Sequence, residues 1–312
     1  MRHSSPIVLA LALLGPGALP AAPPRPPGLL SQTGLYAAGS LEPVPGVEPF
    51  SPQYPLWSDG AAKARWVYLP PGQTIDTSNR DAWVFPVGTK FWKQFSFHGR
   101  KVETRLIWKA AEDSWVFAAY AWRPDQRDAV LAPEAGLPDL VAIVPGKRHT
   151  VPSVADCNTC HTNGRVEILG FSALQLAPDR DPLAPHAEPL RPGMVTLKTL
   201  AAARRLQPAL EPDAVPFRAS SPLARAVLGY LSANCGSCHK QEGPLAGKVP
   251  QLKLVLAAEA ASPRIVLEPA TRKAILRHMN VRGPNQMPPL ATVLVDQAAV
   301  AMVRRWSREA KP

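Results

Sequence analysis

The chain has 312 residues, 46% of them hydrophobic, with 35 Lys and Arg against 24 Asp and Glu for a net charge of +11. That length exceeds the usual single domain, so two or three units with their own cores are expected, and 37 prolines exclude long uninterrupted helices over most of the chain. So basic a balance raises nucleic acid as a partner, but no recognisable binding motif accompanies it and none is expected.

Met1, Arg2 and His3 precede an apolar run from Ile7 to Leu14, which Gly15 and Pro16 break before small residues at 18–22. This is the pattern of a secretory signal peptide over residues 1–22, and it predicts a periplasmic protein. The apolar run is far shorter than the roughly 20 residues a membrane span needs, and no later stretch qualifies. No cysteine lies near the cleavage region, so no lipid anchor is expected. Residues 23–30 read as a Pro-rich, extended linker.

Residues 31–150 read as a Trp-rich β domain. Seven of the eight tryptophans fall between Trp57 and Trp122, among β-prone runs at Arg65–Leu69, Ala82–Val87, Lys90–Phe97, Val102–Trp108 and Ser114–Trp122 separated by turn signals. Aromatic and polar residues partly alternate over 91–97, and an extended chain puts Glu103, Arg105 and Ile107 opposite Thr104, Leu106 and Trp108. An antiparallel β-sandwich or barrel is the architecture this predicts. The tryptophans are expected in its core and on its sheet faces. Asp59, Glu103 and Arg105 are able to line a pocket, although structural ion pairing is the plainer reading.

From Val151 the pattern turns to loops and helices. A first Cys-x-x-Cys-His motif, Cys157, Cys160 and His161, follows Ser153 and Asp156 with little room for a helix before it. A Pro-rich loop spans 177–192, and a helix is expected over Val195–Leu206, closing a segment at 151–217. Residues 218–312 form a self-contained helical unit. Ser221 caps a helix with Pro222 in its first turn, and Leu223, Val227, Tyr230 and Leu231 give it an apolar face that leads into Cys235, Cys238 and His239. Asp296 caps a last helix with Ala299, Val300, Val303 and Trp306 on one side. The overall expectation is an α+β multidomain protein: an N-terminal antiparallel β-sandwich or barrel followed by a mainly α-helical, cytochrome c-type region.

All four cysteines lie in the two CxxC pairs, and each pair is followed at once by histidine. Disulfide pairing in an exported protein needs no such histidine, and zinc held by both pairs is the remaining alternative. Covalent haem accounts for every position: the paired thiols Cys157 and Cys160, and Cys235 and Cys238, add to the two vinyl groups of a haem c, while His161 and His239 become the proximal iron ligands. Two haem c groups are therefore expected. The sixth iron ligand then separates electron transfer from small-molecule activation. For the second haem the candidate is Met287, 49 residues after Cys238 in the proline-held loop Gln286-Met287-Pro288-Pro289, with Met279 and His278 as alternatives. For the first haem the candidate is Met194, 34 residues after Cys160; His149, His186 and an open or water-ligated site stay as alternatives. His98 reads as a surface residue.

The chain resembles a largely uncharacterised family of exported di-haem c-type cytochromes with an N-terminal β domain. The resemblance rests on Tyr54-Pro55-Leu56-Trp57-Ser58-Asp59-Gly60-Ala61, Phe85-Pro86-Val87-Gly88-Thr89, Glu103-Thr104-Arg105-Leu106, 156–161, 169–176, 234–239 and Met287-Pro288-Pro289-Leu290, and so spans nearly the whole mature chain. Ala202-Ala203-Arg204-Arg205 departs from the pattern, which has a more usual Arg-Gly there. The resemblance implies haem binding and electron transfer but no settled substrate.

Residues 31–150 hold 13 basic and 12 acidic residues, whereas 151–312 hold 20 and 12. The excess offsets haem propionates and suggests an electropositive surface for a redox protein partner, acidic in character or a dehydrogenase; a merely solvated basic surface is the alternative. The leading expectation is a periplasmic electron carrier, with a di-haem peroxidase- or oxidase-like enzyme and a redox-sensing ligand binder behind it.

Overall fold

The computed structural model of the protein describes residues 24–79, 82–161, 168–211, 219–240, 248–249, 252–254 and 267–309. The expected signal peptide at 1–22 lies outside them. The strands, in chain order, are β1 (Val47–Pro49), β2 (Ala62–Tyr68), β3 (Ile75–Asp76), β4 (Lys90–Phe97), β5 (Arg100–Ala111), β6 (Ser114–Trp122), β7 (Ala129–Leu131), β8 (Leu137–Val144), β9 (Lys147–Val151) and, between the second and third helices, β10 (Leu206–Gln207). The α-helices are α1 (Val154–His161), α2 (Leu197–Ala202), α3 (Pro222–Cys235), α4 (Pro269–Met279) and α5 (Gln297–Glu309). None is long and apolar enough to cross a membrane among the described residues. The protein is thus α+β, with one large antiparallel sheet and a group of helices.

The sheet runs β1-β2-β4-β5-β6-β7, six strands in an open order. Among the described residues the six strands neither close into a barrel nor face a second large sheet as a sandwich would: the N-terminal segment covers one face, and α1, α2, residues 168–176 and the β8–β9 hairpin pack against the other. On one face Trp92, Leu106, Ala118 and Tyr120 pack under Leu30, Leu35 and Tyr36 of the N-terminal segment. On the other, Phe91, Val67 and Phe50 pack with Phe171, Leu176, Val195 and Leu200. Residues 168–210 therefore share a core with residues 50–91, and β10 lies parallel to β3. The supposed linker is also seated, since the Pro27 carbonyl accepts from the Tyr120 hydroxyl and the Gly28 carbonyl from the Leu131 N–H.

The strands form where β-branched and aromatic side chains alternate with polar ones. Residues 82–87 do not, although Trp83 and Phe85 are buried; Pro86 has no N–H to give a ladder, and the segment makes a single bridge, Asp76 to Val84. The helix expected over 195–206 is shorter, because Thr196 caps it at Leu197 and it ends at Ala202.

The helices α3, α4 and α5 close a second core around Val227, Leu231, Ile275, Met279, Val300, Val303 and Trp306. Ser221 accepts from the Ala224 N–H to start α3, and Asp296 accepts from the Ala299 N–H to start α5. The loop at 54–60 joins this core to the sheet. Tyr54 lies so close to α3 that a Cβ on Gly229 would stand 2.2 Å from its ring. Gly229→Ala should consequently cost about 1–3 kcal/mol, read as a lower thermal midpoint, because neither the helix backbone nor the buried ring has room to yield.

Candidate functional site

Ser153 and Asp156 cap the start of α1 reciprocally: the Ser153 N–H and hydroxyl donate to Asp156 Oδ2 at 3.0 and 2.7 Å, and the Asp156 N–H donates to Ser153 Oγ at 3.1 Å. This cap starts a helix on the first Cys-x-x-Cys-His motif itself, three residues ahead of Cys157, where the sequence leaves little room for a helix before it. The helix lies against β6, with the His161 ring 5.6 Å from that of Phe117.

The second motif begins on the last residue of α3. Its turn is held by the Cys238 and His239 N–H groups donating to the Cys235 carbonyl at 3.1 and 2.9 Å, and the Leu254 N–H donates to the His239 carbonyl. His239 is 7% exposed and its Nδ1 has no hydrogen-bond partner among the described residues. Burial holds this imidazole below its ordinary value and so neutral, the form that ligates a metal.

Both motifs open onto one cavity of about 190 Å³, together with Met287 and its following prolines. The other wall is the sheet, through Arg65, Lys93, Arg105, Ile107 and Phe117. All four thiols are free. Cys160 and Cys238, one from each motif, are hydrogen-bonded; this raises Cys160 far above the ordinary thiol value and lowers Cys238 to about 6. Burial pushes the Cys235 thiol up to about 12.

Met287 is placed by its N–H, which donates to the His278 carbonyl, and by Gln286, whose side chain donates to the Pro288 and Thr292 carbonyls. Of the alternatives, Met279 is buried in the helical core and His278 Nδ1 bonds the exposed Asn285 carbonyl. Met194 is not brought to the cavity; its sulfur accepts from the Arg191 N–H at 3.4 Å. Nor are the three histidines free to reach it. His149 bonds Glu103 at 2.8 Å, His186 bonds Asp296 at 2.9 Å, and His98 bonds the Ile143 carbonyl.

Two features escaped sequence reasoning. Trp57 and Asp59 form a clasp: the Trp57 N–H donates to Asn234 Oδ1 at 2.7 Å and its indole to the Leu294 carbonyl at 3.0 Å. Asp59 accepts from the Val293 and Leu294 N–H groups. Their clustering in the Trp57-Ser58-Asp59-Gly60 turn was the available signal. The second is the basic row Arg65, Lys93 and Arg105, visible only once the strands are paired.

The donor set fits haem c: paired thiols at the required spacing, an imidazole beside each, and a thioether across an apolar cavity. Among the described residues no group of three or more His, Cys, Asp and Glu is placed together to hold a bare metal ion. Comparison with family models, curated proteins and solved structures found no match for the chain.

Proposed function

We propose that the protein is an exported di-haem c-type cytochrome that transfers electrons between redox partners. The observation that carries this reading is the convergence of both Cys-x-x-Cys-His motifs and Met287 on one cavity. Haem c would supply reversible one-electron iron chemistry there. Cys157 and Cys160 would hold one group and Cys235 and Cys238 the other, with His161 and His239 as proximal ligands and Met287 as a sixth ligand.

The chain's own residues set the conditions for this role. Sheet and helices together form the cavity walls, and the cysteines, His161 and Met287 on them are half-buried. The contact between Cys160 and Cys238 keeps the two attachment sites adjacent, as direct passage between two centres demands. At 190 Å³ the cavity is below the roughly 300–1,000 Å³ of ordinary ligand pockets.

A second reading, a di-haem enzyme with an open iron, gains from the placement of Met194 away from the cavity. That leaves the first motif without a methionine of its own.

Both readings are tested in protein made in a host with c-type haem maturation. Two covalent haems per chain are expected, falling to one in Cys157→Ala/Cys160→Ala and in Cys235→Ala/Cys238→Ala; a haem-free wild type would sink the proposal. Carbon monoxide added to the reduced protein leaves the Soret band unchanged if both irons are six-coordinate and shifts half of it if one is open. Met287→His should lower one midpoint potential by on the order of 100 mV, within the ≈ 0.8 V that axial ligands command, and Met287→Ala should open that iron to carbon monoxide. Neither change would occur if Met287 only fills space.

A further inference from the structure

Arg65 on β2, Lys93 on β4 and Arg105 on β5 are directly paired across adjacent strands, Arg65 with Lys93 and Lys93 with Arg105. All three line the cavity. Like charges set opposite one another on a sheet are destabilising, so such a row calls for anions. The protein supplies two. Glu188 pairs with Arg65 Nη1 at 3.1 Å and Glu103 with Arg105 Nε at 2.6 Å.

Those carboxylates leave the middle of the row unanswered. Arg65 Nη2 is buried without a hydrogen-bond partner among the described residues. Lys93 is half-buried and lines the cavity, its ammonium makes no ion pair or hydrogen bond among the described residues, and it sits 4.9 Å over the Phe95 ring. Lys63, the next cation on this face, already donates to the Ala61 carbonyl. A half-buried lysine and the spare N–H of a buried guanidinium, side by side and lining one cavity, are the donor geometry for a carboxylate.

We infer that Arg65, Lys93 and Arg105 form a carboxylate-binding row in the wall of the cavity, with Lys93 as its central cation. The inference rests on the di-haem reading. The carboxylate comes either from the propionates of a haem attached to the chain or from a free organic acid entering the cavity.

The experiment uses the loaded full chain, with its haem count verified first, so that failure of the di-haem reading shows independently as missing haem. Lys93→Gln removes the charge and Lys93→Arg keeps it. If the row holds propionates, Lys93→Gln lowers the midpoint potential of one haem and spares the other, because a nearby cation favours the reduced centre, and Lys93→Arg restores it. If the row holds a free acid, succinate perturbs the wild-type Soret band saturably against chloride at matched ionic strength, Lys93→Gln abolishes the response and Lys93→Arg retains it. Should Lys93→Gln fail to take up haem, rescue by Lys93→Arg supports the row and failure of rescue overturns it. A fully loaded Lys93→Gln protein with both potentials and the succinate response of the wild type also overturns it.

Discussion

Glu103→Gln should destabilise the protein by about 3–5 kcal/mol, the cost of stranding a buried charge, and lower its thermal midpoint by roughly 10 °C. Glu103 is fully buried at the centre of β5, where one oxygen accepts from Arg105 Nε at 2.6 Å and the other from Arg105 Nη2 at 3.0 Å. His149 of β9 reaches the same carboxylate at 2.8 Å. A neutral amide keeps the shape but leaves the Arg105 guanidinium without its counter-charge. The double variant Glu103→Gln/Arg105→Leu removes both charges and should lose less than Glu103→Gln alone.

The same residue predicts an acid limb. Burial pushes the Glu103 carboxyl up, but the Arg105 charge and the hydrogen bonds from His149 and Arg105 outweigh it and hold the group at about 2, against 4.5 for the unfolded chain. A carboxyl depressed in the folded state contributes its stability above the unfolded value and loses it as pH falls through the folded value. Stability should therefore drop by about 3 kcal/mol between pH 4.5 and 2 on this account. Denaturant melts across that range check it, and the limb should flatten in Glu103→Gln.

What could be read in advance was what local chemistry dictates. β4 begins and ends with its partial alternation of aromatic and polar residues at Lys90–Phe97, and β6 with its run of aromatic and small apolar residues at Ser114–Trp122. α3 and α5 follow from Ser221, Pro222 and Asp296 and from one apolar stripe each. α1 has no apolar stripe to mark it, since it buries none of its residues and owes its start, just ahead of the motif, to the cap at Ser153 and Asp156. The hairpin of β8 and β9 was missed because Pro138 and two register shifts blur its pattern.

The candidate site divides in the same way. Cysteine spacing marks both motifs from the sequence, since that spacing is itself the chemistry. Convergence of the motifs is a tertiary property, set by contacts across 177–237 residues at Trp57 and Asp59. Lys93 reads in isolation as the polar member of an alternation, and only strand register shows that it stands between two arginines.

That long-range clasp supplies the second large effect. Asp59→Ala should cost about 2–4 kcal/mol, because a buried carboxylate that accepts from two backbone N–H groups is lost and both donors are left behind. Asp59 is 6% exposed, and its bonds to Val293 and Leu294 run 2.8–3.1 Å. They hold the chain just after Met287, between the sheet and the start of α5. Loss of the clasp should therefore do more than lower the thermal midpoint: Met287 should become displaceable, and carbon monoxide should bind a fraction of the reduced protein that the wild type protects. Asp59→Asn keeps one acceptor oxygen and should fall between the two in both measurements. A variant that melts early with unchanged carbon monoxide binding would mean that the clasp joins sheet to helices without placing Met287.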